Sequence, residues 1–205
     1  MKSSDLVFLC DLGGVLIDLN WVSHARELFG QNASSDELKD RWLSLQSVRK
    51  YESGKSDFSD FYREFCHETG SQVGLDVFKR EFAGILGPEK PGCAEVLDYL
   101  ARNGCLAMLS NTNALHVEEL KRTSGVFTPF ARLFFSFEMG MVKPDVQIFK
   151  TVCEQLGCNP ADVMFFDDSA ANIAAARTIG MDAWRVDCPH EIKKIVDARK
   201  NSVVL

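Results

Sequence analysis

The chain has 205 residues, 46% of them hydrophobic and 25% charged, with a formal net charge of −6. That length supports one substantial core, or a core carrying a smaller insert, and the balance is that of an ordinary globular protein. The acidic excess speaks against a nucleic-acid binder, which needs a basic stripe, and no apolar run is long enough to span a membrane.

The opening Met1-Lys2-Ser3-Ser4-Asp5 carries no apolar signal region and leads at once into residues 6–10, Leu-Val-Phe-Leu-Cys. A short apolar run without polar alternation predicts a strand buried on both faces. Residues 18–86 break with that pattern. They offer no convincing strand but four helical segments, at about 20–29, 35–48, 57–69 and 74–85. This predicts a helical insert beside a sheet, joined by linkers at 16–19 and 86–91. Residues 91–103 place Val96, Leu97 and Leu100 on one face, with Gly104 suited to a left-handed stop. A second buried strand is predicted at 105–109 and a weaker one at 133–135. Residues 145–156 put Ile148, Phe149, Val152, Cys153 and Leu156 on one stripe, closed by Gly157. Then follow a strand at 163–166, an alanine-rich helix at 169–179 ending at Gly180, and a strand at 183–186. Alternating strands and helices predict an α/β fold with a doubly wound, mostly parallel, Rossmann-like sheet. The core would comprise 1–17 and 87–205, and the insert 18–86.

Ligands of open α/β sheets bind beyond the carboxyl ends of the strands. Asp11 follows the first strand, Ser110-Asn111-Thr112-Asn113 the second, and Asp167-Asp168 a later one, while Lys143-Pro144 stands just before a helix. Singly, these are a turn residue, capping groups and a solvated lysine. Together they form a site, because adjacent carboxylates repel each other unless a cation compensates. Asp11 and the acidic pair supply oxygens that suit a hard divalent cation. A carboxylate can also act as nucleophile, and hydroxyl, backbone N–H and lysine groups are the donors that phosphoryl oxygens need. Gly13 and Gly14 would let the backbone approach a phosphate closely.

The order Asp11-Leu12-Gly13-Gly14-Val15-Leu16, Ser110-Asn111-Thr112-Asn113, Lys143-Pro144, and Phe166-Asp167-Asp168 with Asn172 resembles the four motifs of the haloacid dehalogenase superfamily. The resemblance spans nearly the whole chain, with 18–86 matching the helical cap inserted after the first motif. It is strongest to the bacterial α-D-glucose-1-phosphate phosphatases and the N-terminal phosphatase domains of soluble epoxide hydrolases. Those similarities lie in Leu109–Asn113 with His116, Gly140-Met141 before Lys143, and Tyr51-Glu52-Ser53-Gly54-Lys55 before Phe58. The resemblance implies a phosphatase acting on a small phosphorylated metabolite with Mg²⁺. Asp11 would attack phosphorus, Ser110 and the Asn111 backbone would hold the phosphoryl oxygens, and Lys143 would stabilise their charge. Asp11, Asp168 and the Gly13 carbonyl would hold Mg²⁺, with Asp167 ligating or orienting metal-bound water.

One position departs from the pattern. The superfamily's phosphatases usually carry an acid/base Asp two residues after the nucleophile, and here that residue is Gly13. General acid catalysis contributes about 10²–10⁴-fold, so a substrate whose leaving group departs easily, such as a sugar 1-phosphate or an acyl phosphate, is favoured. His116 and Glu52 are possible substitutes, yet they read better as a packed histidine and as a surface or hinge carboxylate of the insert. Asn172 reads equally as a metal or water ligand and as a polar helix residue. Trp21, Trp42 and Tyr51 read as core. A metal-free 2-haloacid dehalogenase is the rival enzyme, against which Asp167-Asp168 and Gly13-Gly14 both speak. A non-catalytic phospho-ligand binder is the rival of another class. A signalling receiver is discounted, because its acidic pair follows the first strand. The seven scattered cysteines form no Cys-x-x-Cys pair and read as reduced core thiols. A cytoplasmic monomer or homodimer is expected, without nucleic-acid or membrane partners.

Overall fold

The computed structural model describes residues 6–29 and 34–203; the leading segment 1–5 lies outside the described residues. The chain runs β1 (Val7–Cys10), β2 (Ile17–Leu19), α1 (Trp21–Phe29), α2 (Ser35–Ser44), α3 (Gln46–Glu52), α4 (Phe58–Thr69), α5 (Leu75–Gly84) and β3 (Leu86–Glu89). It continues through α6 (Cys93–Asn103), β4 (Cys105–Ser110), α7 (Ala114–Thr123), β5 (Arg132–Phe135), α8 (Ser136–Met139) and α9 (Val146–Leu156). The last elements are β6 (Val163–Asp167), α10 (Ala170–Thr178), β7 (Asp182–Arg185) and α11 (Pro189–Val203).

All four side chains of β1 are apolar and fully buried, which only a central strand covered on both faces allows. It pairs in parallel with β4 and β6, and the full order is β5-β4-β1-β6-β7. Alternate residues feed opposite cores. Phe8, Cys10, Leu106, Met108 and Phe166 pack with Val96, Leu97 and Leu100 of α6 and Ile192 and Val196 of α11. Val7, Leu9, Ala107, Leu109 and Phe165 pack on the other face with Phe149 and Val152 of α9 and Ile173 of α10. Asp145 and Ser169 cap α9 and α10 with their side chains, and Gly157 ends α9 at φ +66°.

Helices α1–α5 bury a third apolar cluster of their own, built on Phe61, Phe65, Phe78 and Phe82. Trp42 lies within it, packed edge-on against Trp21, and the Tyr51 ring stacks on Phe61.

Three local expectations need correction. The two connections are not plain linkers: β2 and β3 pair as an antiparallel ribbon, tied further by Asn20 N–H to Ile85 O and Lys90 N–H to Leu16 O, each 2.8 Å. Gly87 permits that pairing, since a Cβ there would stand 2.7 Å from Asp18 O. The helix expected over 35–48 is broken at Leu45, whose extended backbone (φ −72°, ψ 129°) separates α2 from α3. Gly104 is extended rather than left-handed, with φ 175°. It is glycine because a Cβ would lie 2.3 Å from Leu6 O as the chain turns into β4. Among the described residues no helix is long and apolar enough to cross a membrane.

Candidate active site at the carboxyl edge of the sheet

The ends of β1, β4 and β6 bring Asp11, Ser110 and Asp167 to one edge, because these three parallel strands are adjacent and in register. Asp11 is held in place by its own N–H, which donates to Phe166 O at 2.9 Å. The next two glycines serve different neighbours. A Cβ at Gly14, where φ is +79°, would stand 2.8 Å from Asp168 Oδ2, so this residue makes room for the Asp168 carboxylate. A Cβ at Gly13 would stand 3.3 Å from the Leu19 side chain at the end of β2.

Lys143 is 4% exposed, and its Nζ lies 2.8 Å from Asp11 Oδ1 and 2.6 Å from Asp167 Oδ2, and donates to Leu109 O at 3.0 Å. Burial opposes its charge, yet Asp11 and Asp167 together hold the ammonium above the ordinary lysine value. Asn111 clamps the lysine backbone from both sides. Its Nδ2 donates to Lys143 O at 2.9 Å and its Oδ1 accepts from Lys143 N–H at 2.8 Å. The Asn111 side chain is therefore committed to placing Lys143, and only its main chain is left for a ligand. Ser110 is 2% exposed, and its hydroxyl donates only at the long distance of 3.5 Å, to Asn111 O, so it can turn to a better acceptor.

Asp167 is firmly oriented: besides Lys143 it accepts from Ser169 N–H at 2.8 Å and from Asn172 Nδ2 at 2.9 and 3.0 Å. Asn172 is thus a donor that orients Asp167. Asp168 is partly exposed, its main-chain O accepts from Arg185 Nε at 3.0 Å, and Lys39 of α2 lies within electrostatic reach of its carboxyl group.

Asp11, Asp167 and Asp168 each present a carboxylate oxygen, all within 4.8 Å of one another. Burial pushes the Asp11 carboxyl upward from the usual carboxylate range, and Asp167 adds to this against the opposing Lys143. Burial and Asp167 likewise raise Asp168. Three carboxylates against one ammonium leave two uncompensated negative charges, so the donor set fits one hard divalent cation such as Mg²⁺.

The two substitutes considered for the missing Asp at position 13 have different fates. His116 is buried and stacks on Phe82 at 4.4 Å, with Nε2 2.8 Å from Phe82 O and Nδ1 3.2 Å from Asn113 Nδ2. Burial pulls its pKa down to about 4, so it is a neutral packing residue. Glu52, expected to be a surface or hinge carboxylate, instead lies within electrostatic reach of Lys143 and Asp11. The sequence offers Glu52 as a possible substitute through its place in the Tyr51–Lys55 resemblance but favours the surface reading, because Glu52 does not lie at a strand end; Lys39 carries no signal of its nearness to Asp168.

Known proteins resemble this chain over most of its length. The chain is 27% identical to a sesquiterpene phosphatase of Aspergillus oryzae, over 83% of this chain and 84% of that protein. It is 20% identical to a D-ribitol-5-phosphate phosphatase of Bacteroides thetaiotaomicron, over 85% of this chain and 88% of the other. A haloacid dehalogenase family enzyme from the same bacterium, crystallised as a magnesium complex, superposes with a TM-score of 0.75 at 25% identity, covering 90% of this chain and 94% of that one. Residues 6–180, which carry Asp11, Ser110, Lys143 and the Asp167-Asp168 pair, match the haloacid dehalogenase-like hydrolases, and the chain belongs to that family.

Proposed function

We propose that the protein is a Mg²⁺-dependent phosphomonoester hydrolase that works through an aspartyl-phosphate on Asp11. The observation that carries this reading is the bridging of Asp11 and Asp167 by Lys143, beside Asp168 and the loosely bonded Ser110 hydroxyl. This places a carboxylate able to act as nucleophile beside the positive charge and donors that a phosphoryl group needs, which supports the reading. The similarity to two phosphatases over most of the chain supports the same chemistry.

In this reading an Asp11 oxygen attacks phosphorus in line with the departing oxygen. Ser110 and the Asn111 main chain hold the phosphoryl oxygens, and Lys143 stabilises their charge, kept in place by Asn111. Asp11, Asp168 and the Gly13 carbonyl would hold Mg²⁺, with Asp167 ligating it or orienting its water, and the ion would supply further positive charge against the phosphate. Water then attacks phosphorus and releases Asp11. Helices α1–α5, taken as a cap over residues 18–86, would enclose a small phosphorylated metabolite, with the β2/β3 ribbon as their hinge. With no side chain at Gly13, the core residues alone suit an easily departing group, such as that of a sugar 1-phosphate.

The test is a screen of sugar phosphates and p-nitrophenyl phosphate with Mg²⁺, run beside Asp11→Asn. The variant is expected to lose more than about 10³-fold in turnover, and a chelator should silence the wild type. Unchanged turnover by Asp11→Asn refutes the nucleophile, and activity that survives chelation favours the metal-free dehalogenase chemistry.

A further inference from the structure

Glu52 ends α3, and the chain on both sides of it is pinned to the core. One residue before it, Tyr51 is 7% exposed, stacks on Phe61 and shares its apolar cluster with Leu115 of α7, whose backbone lies near its hydroxyl. Two residues after it, Gly54 sits at φ +66° with its Cα so close to α8 that a Cβ would fall 2.1 Å from Phe137 O. α7 and α8 follow β4 and β5, so both anchors grip the edge of the sheet where Asp11 and Lys143 meet. The Glu52 residue is half-buried, and its carboxylate has no hydrogen bond or ion pair among the described residues. A desolvated carboxylate without a partner is costly, and such groups persist where they serve chemistry.

The other ionisable groups near Asp11 are engaged elsewhere. Asp167 is fixed by Lys143, Ser169 and Asn172 and, with Asp168, belongs to the cation-binding set, and both His116 nitrogens face Asn113 and Phe82. Position 13 has no side chain, and the space over it is taken by Leu19.

We propose that Glu52, reaching the site from the helical layer, is the general acid and base of the reaction. This deepens the phosphatase reading and rests on it. As the Asp11 oxygen–phosphorus bond forms and the bond from phosphorus to the leaving oxygen breaks, the Glu52 carboxyl gives its proton to that oxygen, and the alcohol departs. The resulting carboxylate then takes a proton from the water that attacks the aspartyl-phosphate. Inorganic phosphate leaves, Asp11 is freed, and Glu52 is again protonated. Burial pushes the Glu52 pKa up to about 7, with Asp11 adding to this and Lys143 opposing it, which suits a group that must both give and accept a proton. An acid in this place extends the substrate class from sugar 1-phosphates to ordinary alkyl phosphates.

The experiment uses the full chain with Mg²⁺ and compares p-nitrophenyl phosphate, whose phenolate needs no proton to leave, with a simple alkyl phosphate. For Glu52→Gln, kcat/KM on the alkyl phosphate is expected to fall about 10²–10⁴-fold, and on p-nitrophenyl phosphate at most about tenfold. Mixing the variant with p-nitrophenyl phosphate should give a burst of one p-nitrophenolate per enzyme followed by slow turnover, because the base for the second step is missing. Equal losses on both substrates, or no loss, overturn the assignment. If Glu52→Gln does not fold, the wild type decides: a shallow dependence of kcat/KM on leaving-group pKa supports the acid, and a steep one overturns it. Asp11→Asn in parallel separates the two readings. A dead Asp11→Asn beside an unimpaired Glu52→Gln sinks only the role of Glu52, whereas a wild type without phosphatase activity sinks both.

Discussion

Two adjacent glycines in the loop after Asp11 answer to different constraints, and substitution separates them. Gly14 combines a left-handed backbone with a Cβ position 2.8 Å from Asp168 Oδ2, while Gly13 has an ordinary φ and would meet only the flexible end of Leu19 at 3.3 Å. Gly14→Ala is therefore expected to cost more than about 1 kcal/mol and to move the Asp168 carboxylate, whereas Gly13→Ala should stay within about 1 kcal/mol. Thermal unfolding together with Mg²⁺ titration checks this. Equal behaviour of the two variants would show that Asp168 does not press on Gly14. From the sequence both glycines read as room for a phosphate, because nothing local reveals that residue 168 folds back onto residue 14.

Individual elements show the same division between what sequence carries and what assembly adds. The strands were legible because β1, β4 and β6 are apolar on both faces, and their ends placed Asp11, Ser110 and Asp167 correctly at one edge. The β2/β3 ribbon was not, since Leu86-Gly87-Pro88-Glu89 has the composition of a linker and gains strand character only by pairing with Ile17–Leu19. His116 illustrates the joint between layers: it belongs to α7 yet stacks on Phe82 of α5 and bonds its carbonyl. Its pKa, about 4 when folded, lies below the ordinary histidine value of roughly 6.5. The unfolded chain thus binds the extra proton first, so this contribution to stability is whole above about pH 6.5 and is lost as pH falls toward 4, by up to about 3 kcal/mol. His116→Gln should lower stability at pH 7.5 yet flatten the decline between pH 6.5 and 4 relative to wild type. Parallel denaturant curves across that range test this, and an identical slope in the two proteins would mean that His116 is protonated in the fold.

For the whole molecule, the charge balance links stability to the cation. The chain carries a net −6, and its site concentrates three carboxylates around a single lysine ammonium, with Glu52 close by. Folding forces these like charges together out of water, whereas the unfolded chain lets them separate, so the unliganded fold carries a repulsion that a divalent cation relieves. A ligand that binds only the folded state at about 100 times its Kd adds about 2.7 kcal/mol. For a domain of this size, each kcal/mol is worth about 2–4 °C in Tm. Millimolar Mg²⁺ is therefore expected to raise Tm by about 5–10 °C, and Asp168→Asn to remove most of that rise while itself raising the Tm of the metal-free protein. The second effect is the more telling, because losing an ordinary surface carboxylate would leave Tm nearly unchanged. A Tm insensitive to Mg²⁺, with Asp168→Asn no more stable than wild type, would mean that Lys143 alone balances the site and that the acidic pair is there for architecture rather than for a cation.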